Sequence, residues 1–139
     1  MKKNIWIINQ YCGSIFHGMN FRSWYFAKEL KKKGHSPHII SASFSHLLFK
    51  FPATNGRFTF ENVEDIPFTW VKVAKYSGSQ SIGRVLVMIQ FMINLIFLPK
   101  KKLQKPDVII VSSLSPLPIV SAYFWSKKYK AKLLFEVRD

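Results

Sequence analysis

Acidic residues are scarce in this chain. Only 7 Asp and Glu stand against 21 Lys and Arg in 139 residues, which gives a formal charge of +14. This imbalance predicts anionic partners, namely nucleic acid, anionic lipid or phosphorylated substrates. The lysines are dispersed along the chain, however, and few aromatic side chains stand beside them to stack on bases. The sequence therefore predicts no nucleic-acid partner and favours phosphorylated substrates or lipid.

Cysteine and long apolar runs are also scarce. Cys12 is the only cysteine, so an internal disulfide is excluded and a reduced, cytosolic setting is expected. Cys12 and the four histidines lack the spacing of metal ligands, so we expect no metal site. No stretch reaches the roughly 20 apolar residues that a transmembrane helix requires.

Two of the six glycines lie in the loop around which the chain is organised. Gly13 and Gly18 separate an apolar run from an amphipathic run, which predicts a strand at Asn4–Asn9 and a helix at Asn20–Lys33. With a second strand at His38–Ala42, the opening becomes a parallel β-α-β unit with a right-handed crossover. In open sheets of this kind, ligands bind beside the loop that follows the first strand. The loop lacks the Gly-x-Gly-x-x-Gly fingerprint, so a nicotinamide cofactor is not expected.

The first predicted helix has recognisable ends. Asn20 is a candidate N-cap, and Gly34 is placed to follow the last turn. Helical spacing groups four apolar side chains on one face, opposite the lysines: Phe21, Tyr25, Phe26 and Leu30.

The later elements continue the alternation of strands and helices. A short strand at Arg57–Phe60 is expected across from Trp70–Val73 at the sheet edge. A helix, a strand, a helix and a strand follow at Ser81–Leu98, Asp107–Ser112, Pro116–Tyr129 and Lys132–Val137. This order predicts an α/β fold, a Rossmann-like, doubly wound and mostly parallel sheet. Because such folds continue with a loop and a helix after each strand, we expect residues 1–139 to be an incomplete domain of a larger two-domain protein.

The second helix is apolar on nearly all sides. Gln90 and Asn94 are four residues apart and share one face. Such a helix is buried in protein or lipid. It either packs against the sheet or another domain, or lies in a membrane interface with Lys100–Lys102 on anionic headgroups.

Five residues of the first loops are candidates for ligand binding. Gly13 and Gly18 either line a ligand crevice or form a tight turn. His17 either donates to an anionic or hydroxyl group or is a solvated loop residue. Arg22, on the first turn of the helix, either faces a phosphate or is a surface cation. His46 follows the second strand and either meets a ligand or has a packing or capping role.

Three later residues are also candidates. Ser113 lies in a run of small hydroxyl residues after a strand and either bonds a sugar or caps the next helix. Arg138 and Asp139 end a strand at the rim of the expected crevice, where they either contact substrate or form an ion pair that holds the next loop.

Several strings resemble the N-terminal half of the family 4 retaining glycosyltransferases of the GT-B architecture, in particular bacterial members that build surface polysaccharides such as lipopolysaccharide. The Ser-Phe-Ser-His string at 43–46 and the Glu-Val-Arg-Asp string at 136–139 are the more specific signals. The strings at Lys33–His35 and Lys105–Ile110 are looser signals, and the resemblance is also carried by Ile8–Tyr11, His17–Arg22 and Tyr25–Leu30.

The resemblance implies an acceptor-binding domain that lacks the nucleotide-sugar domain of the complete enzyme. That enzyme would move a sugar from a nucleotide-sugar donor to a lipid-linked, polyprenyl-type saccharide or a polysaccharide acceptor, with retention and without a metal cofactor. Asp139 would bind acceptor hydroxyls or steady positive charge on the sugar. The isolated chain is expected to be inactive and peripheral on the inner face of the cell membrane. The alternative is a non-catalytic, membrane-associated scaffold or partner subunit of a separate donor domain.

Overall fold

The computed structural model describes residues 1–18, 20–77, 82–112 and 117–136. Six strands and three helices lie in these ranges. In chain order they are β1 (Asn4–Ile8), α1 (Arg22–Lys32), β2 (Ser36–Ala42), β3 (Phe58–Val63), β4 (Ile66–Val71), α2 (Ile82–Ile96), β5 (Val108–Ser112), α3 (Pro118–Tyr129) and β6 (Lys132–Glu136).

The strands form one sheet in the order β3-β4-β2-β1-β5-β6. Every neighbouring pair is parallel except β3–β4, which is antiparallel. The chain runs outward from β1 to β2 on one side and from β5 to β6 on the other, so the winding direction reverses between β1 and β5. The predicted α/β, doubly wound and mostly parallel fold is confirmed.

Helices cover both faces of the sheet. On one face, α1 packs Trp24 and Ala27 against a core that includes Ile7 and Ile39. On the other face, α2 and α3 pack against a second core that is built around Trp6 and Trp125. The rings of Trp6 and Trp125 meet edge to face with centroids 5.7 Å apart, a geometry that aromatic pairs prefer.

Helix α1 departs from the prediction at its start. It begins at Arg22, with Phe21 at the cap position and no side-chain cap hydrogen bond, so the predicted capping role of Asn20 is wrong. Gly34 does follow the helix, with a φ of 92° that favours glycine. The N–H groups of Gly34 and His35 donate to the carbonyls of Lys31 and Leu30, which completes a Schellman motif.

The face of α1 that packs on the sheet is also different from the one that the apolar spacing indicated. Ser23, Trp24 and Ala27 are buried, whereas Phe21, Tyr25 and Phe26 are exposed, Tyr25 by 48%. The small side chains let the helix lie close to the sheet, and Ser23 accepts a hydrogen bond from the side-chain amide of Asn9.

The sheet edge is a β-hairpin that is longer than the predicted short strand. Strand β3 continues to Val63 and turns at Glu64 and Asp65, both of which have positive φ. Two central residues with positive φ are the signature of a two-residue hairpin turn. The predicted pairing of the 57–60 region with the 70–73 region is confirmed by the register Phe60↔Thr69 and Phe58↔Val71.

Helix α2 is buried along one stripe only, formed by Val87, Phe91 and Leu95. Gln90 and Asn94 share a face as predicted, and both bond to the chain that follows β4. The Gln90 Oε1 accepts from the N–H of Ala74 at 2.8 Å, and the Asn94 Nδ2 donates to the carbonyl of Lys72 at 3.1 Å. These bonds fix the path of the chain as it leaves the sheet.

His38 gives this fold a dependence on pH. Its Nε2 lies 2.6 Å from the Thr69 hydroxyl, between β2 and β4. Burial lowers the pKa of His38 to about 4, against about 6.5 in an unfolded chain. Between these values the unfolded state binds a proton that the folded state excludes, so the stability that is complete above pH 6.5 is lost as the pH falls towards 4.

We therefore expect wild type to lose about 3 kcal/mol of unfolding free energy through His38 between pH 7 and pH 4, because each tenfold change in proton affinity is about 1.4 kcal/mol. The His38→Gln variant lacks this contribution. Urea unfolding of both proteins across that pH range measures it. A difference between the two that stays constant with pH contradicts the assignment.

Candidate functional site

The loop between β1 and α1 is held against the loop that follows β2. Gly18 forms an antiparallel bridge with Leu48, and the carbonyl of His17 accepts from the N–H groups of Phe49 and Lys50 at 2.8 and 3.0 Å. A Cβ on Gly18 would lie 2.3 Å from the carbonyl oxygen of Leu47. Glycine is therefore required at this position for two backbones to approach each other.

His17 lies beneath this loop and is 5% exposed, so the solvated alternative for it is wrong. Its Nδ1 is 2.8 Å from the Ser14 hydroxyl, which also accepts from the N–H of Phe16. Its Nε2 is 3.8 Å from Glu61 Oε1. Burial lowers the pKa of His17, and the Glu61 carboxylate opposes this shift. The neutral ring thus organises the loop from within, and ligand contact through it stays a prediction.

His46 lies at the carboxyl end of β2, where it is exposed. The Tyr76 hydroxyl oxygen accepts from the His46 backbone N–H at 3.1 Å and lies 2.9 Å from the ring Nδ1. The contact between the Tyr76 hydroxyl and Nδ1 is a hydrogen bond in which the tautomer of the ring decides the donor. Burial and the nearby Arg84 lower the pKa of His46. The ring is therefore neutral near pH 7, with its Nδ1 bonded to Tyr76.

Tyr11 connects His46 to the start of α2. The Arg84 Nε donates to the Tyr11 hydroxyl at 3.2 Å, and its guanidinium lies over the Tyr11 ring at 5.4 Å. On its other side the Tyr11 ring meets the His46 ring edge to face at 5.9 Å. This cluster, Tyr11, His46, Tyr76 and Arg84, combines hydroxyl, imidazole and guanidinium donors.

Arg22 is paired with a carboxylate across the top of the sheet. Its Nη1 lies 2.6 Å from Glu136 Oε1, at the carboxyl end of β6. The hydrogen bond to Glu136 raises the pKa of Arg22. The Ser112 hydroxyl, at the end of β5, donates to the same Glu136 oxygen at 2.8 Å. Residues from α1, β5 and β6 therefore meet beside the point where the winding of the sheet reverses.

Gln10 follows β1, between these two groups of residues in the order of the strands. It is 2% exposed, yet neither its Nε2 nor its Oε1 has a hydrogen-bond partner among the described residues. Leaving a buried amide without partners costs free energy. In an open α/β sheet, the crevice at the reversal point is where ligands bind. Among the described residues, Gln10 is therefore a candidate to bond a ligand there.

The structure brings together most of the candidates that it describes. Gly13, His17 and Gly18 form one packed loop, and a Cβ on Gly13 would meet the His17 Cβ at 2.8 Å. Arg22 and His46 both lie at the carboxyl edge, in the two groups described above. Ser113, Arg138 and Asp139 lie outside the described residues. Their roles stay predictions.

Sequence reasoning did not single out four residues of this edge. Arg84 contacts Tyr11, and Tyr76 contacts His46, in both cases from a distant part of the sequence. Glu136 is the first residue of the Glu-Val-Arg-Asp string, but no role was predicted for it. Gln10 was also in such a string, and its position directly after β1 was the one local signal that could have identified it.

A cavity lies elsewhere, at the other end of the sheet. It holds about 640 Å³ and is lined at the amino ends of the strands by residues that include Trp6, His38, Phe60 and Lys102. Ligands of open α/β sheets bind at the carboxyl ends of the strands, so the carboxyl edge is a better candidate ligand site than this cavity. Within the described ranges, no three His, Cys, Asp or Glu side chains are grouped to hold a metal ion.

Comparison with known proteins shows the fold of this chain but does not assign it to a family. No family model matches the chain, and no curated protein matches it significantly. Among solved structures, the chain is similar to the catalytic domain of starch synthase IV from Arabidopsis thaliana, bound to ADP and acarbose, with a TM-score of 0.67 and 14% identity. The match covers 100% of this chain and 34% of that one. The chain thus has the Rossmann-like fold of a GT-B domain and spans about a third of that structure.

No helix in the described parts of the chain is both long and apolar enough to cross a bilayer.

Substitution of Gly18 tests the contact between the two loops. We expect Gly18→Ala to lower the unfolding free energy by about 1–3 kcal/mol, since an added Cβ forces two backbones apart. Thermal unfolding measures the loss. The exposed Thr54→Ala in the same region is the control and should be neutral. A Gly18→Ala variant as stable as wild type would mean that the loops are not in contact in solution.

Proposed function

We propose that this chain is the acceptor-side domain of a family 4, GT-B glycosyltransferase of the kind that builds bacterial surface polysaccharide. The complete enzyme transfers a sugar from a nucleotide-sugar donor to a lipid-linked or polysaccharide acceptor, with retention and without a metal. The domain works in the cytoplasm, at the inner face of the membrane. The observation that carries the proposal is Gln10, a buried amide without a described partner at the reversal point of the sheet.

The polar groups at the carboxyl edge suit a saccharide. An amide offers both a donor and an acceptor, which matches a sugar hydroxyl. His46 adds a neutral imidazole, and the Arg22–Glu136 pair holds an acceptor and a fixed cation beside Ser112. Such groups position a substrate, and positioning is a large part of the rate enhancement in group transfer. Ser113, Arg138 and Asp139 also bind substrate in this proposal, with Asp139 as the catalytic carboxylate.

A second domain supplies the donor site in this proposal. The similarity in fold covers about a third of the starch synthase structure, and that structure contains both a nucleotide and a saccharide analogue. Charge on a departing nucleoside diphosphate needs fixed donors aimed at it. In the proposal those donors belong to the missing domain, so residues 1–139 alone bind acceptor and transfer nothing.

The Gln10 amide can be tested separately from the fold. We expect Gln10→Met to leave stability unchanged or slightly higher, because removing an unsatisfied buried polar group is nearly neutral or favourable. Binding of a water-soluble, short-chain polyprenyl diphosphate saccharide, followed by NMR or calorimetry, should weaken about tenfold. The matched control is Gln104→Met, an exposed glutamine near the amino ends of the strands. Equal binding by wild type and Gln10→Met would refute the role of Gln10.

The need for a donor domain gives a second test. Purified residues 1–139, incubated with radiolabelled nucleotide sugars and the same acceptor, should yield no labelled product. Turnover by this chain alone contradicts the assignment of the donor site to another domain.

A further inference from the structure

The outer surfaces of α2 and α3 form one apolar face, called here the α2–α3 face. Its α2 side chains are exposed even though the helix is packed on the sheet, Ile82 by 80% and Leu86 by 61%. Single exposed apolar residues are normal, whereas a contiguous set marks an interaction site. The members of the face are Ile82, Val85, Leu86, Ile89, Ile93 and Phe97 of the α2 region and Val120, Tyr123 and Phe124 of α3.

The two helices present this face as a single unit. The Trp125 Nε1 donates to the carbonyl of Leu95 at 2.6 Å, and the Ser121 hydroxyl donates to the carbonyl of Met92. Both bonds join α3 to α2 directly. The inner stripe of α2 fills the core, and the outer residues of this helix region keep between 37% and 80% of their surface exposed.

Cations border this face at one end. Lys127 lies over the Tyr123 ring at 5.4 Å, and Lys128 lies over the Phe124 ring at 6.0 Å. Lys100, after α2, comes close enough to Lys128 to lower the pKa of Lys128. Between residues 66 and 106 the sequence contains no Asp or Glu, and between 108 and 135 it again contains none. The face is therefore apolar with a basic end and has no carboxylate of its own.

We propose that the α2–α3 face lies on an anionic lipid bilayer, with its apolar side chains at the acyl boundary and Lys100, Lys127 and Lys128 on headgroup phosphates. Helices with an apolar face and lysines beside it bind in this way, and each lysine near such a surface strengthens binding about fivefold. This inference rests on the proposed function in one respect, because the lipid-linked acceptor explains why the domain would bind a membrane.

A lipid surface fits this charge pattern better than a second copy of the chain does. A two-fold contact would bring the same lysines from both copies to one interface, and the face holds no carboxylate to neutralise them. A bilayer with anionic headgroups supplies the missing negative charge at high density.

The contact would also place the carboxyl edge near the membrane. Helix α2 begins next to Arg84, whose guanidinium touches Tyr11 at the carboxyl end of β1. Its 15 residues span about 22 Å from that end to the basic end. A lipid-anchored saccharide would then reach the crevice from the same surface that binds the helix.

Flotation of the full 139-residue chain with lipid vesicles tests the proposal. We expect binding to phosphatidylcholine vesicles that contain about 30% phosphatidylglycerol, much weaker binding to phosphatidylcholine alone, and a loss with added salt. Leu86→Gln with Ile93→Gln should weaken binding about tenfold, and Lys127→Glu with Lys128→Glu about 20-fold or more. All four residues are exposed, so both variants should keep the wild-type circular dichroism spectrum and melting temperature.

Matched controls lie on the opposite side of the sheet. Tyr25→Gln with Phe26→Gln changes the same number of exposed apolar residues on α1, and Lys2→Glu with Lys33→Glu makes the same change in charge. Both should bind within about threefold of wild type, since their sites lie away from the lipid. Failure of wild type to bind anionic vesicles overturns the proposal, as does equal binding by the α2–α3 variants and the controls. Self-association that the Leu86→Gln with Ile93→Gln variant abolishes, without vesicle binding, would assign the face to a second copy instead.

The vesicles contain no saccharide. A negative result here therefore leaves saccharide binding at Gln10 intact, and loss of saccharide binding leaves this result intact.

Discussion

The carboxyl edge of this sheet depends on one close contact between two backbones. Gly18 lies against Leu47 and Leu48 with no room for a side chain, and the His17 carbonyl receives two N–H groups from the adjoining loop. This contact fixes the loops that follow β1 and β2 relative to each other. Tyr11 and His46 belong to those two loops, so their ring contact depends on it. The buried, neutral His17 completes the arrangement by bonding the Ser14 hydroxyl from inside.

The edge is divided by charge into two parts with a neutral group between them. Towards β2 and β4, burial and the nearby Arg84, which is placed against Tyr11, lower the pKa of His46, so its imidazole stays uncharged near neutral pH. Towards β5 and β6, the charge of Arg22 is answered by Glu136, which also holds Ser112. Gln10 follows the strand between them. A crevice with fixed donors and little net charge is suited to hydroxyl-rich ligands, and the cation at its margin is suited to a phosphate.

The order of strands and helices along the chain, the parallel pairing and the pairing at the sheet edge could be predicted, because hydrophobic periodicity and turn residues are visible in short stretches of sequence. The packed face of α1 could not, since Ser23 and Ala27 carry little hydrophobic signal, and their value lies in letting the helix approach the sheet. Helix α2 is apolar on nearly all sides, so its spacing does not distinguish Val87, Phe91 and Leu95 as the inner stripe. At the site, the loops could be predicted but the hydrogen-bond partners of His46 and Arg22 could not. Tyr76 lies 30 residues from His46, and Glu136 lies 114 residues from Arg22.

The excess of positive charge and the exposed apolar face are connected. An apolar surface of this size would drive chains together, and a formal charge of +14 opposes that association through mutual repulsion. The same charge attracts the chain to any surface that is both anionic and able to accept apolar side chains. Helix α2 carries the exposed apolar side chains and also, in its first turn, Arg84, which contacts Tyr11. In the proposed arrangement, a bilayer that binds this helix therefore also lies near the carboxyl edge. The orientation of α2 therefore connects the proposed lipid contact with the carboxyl edge of the sheet.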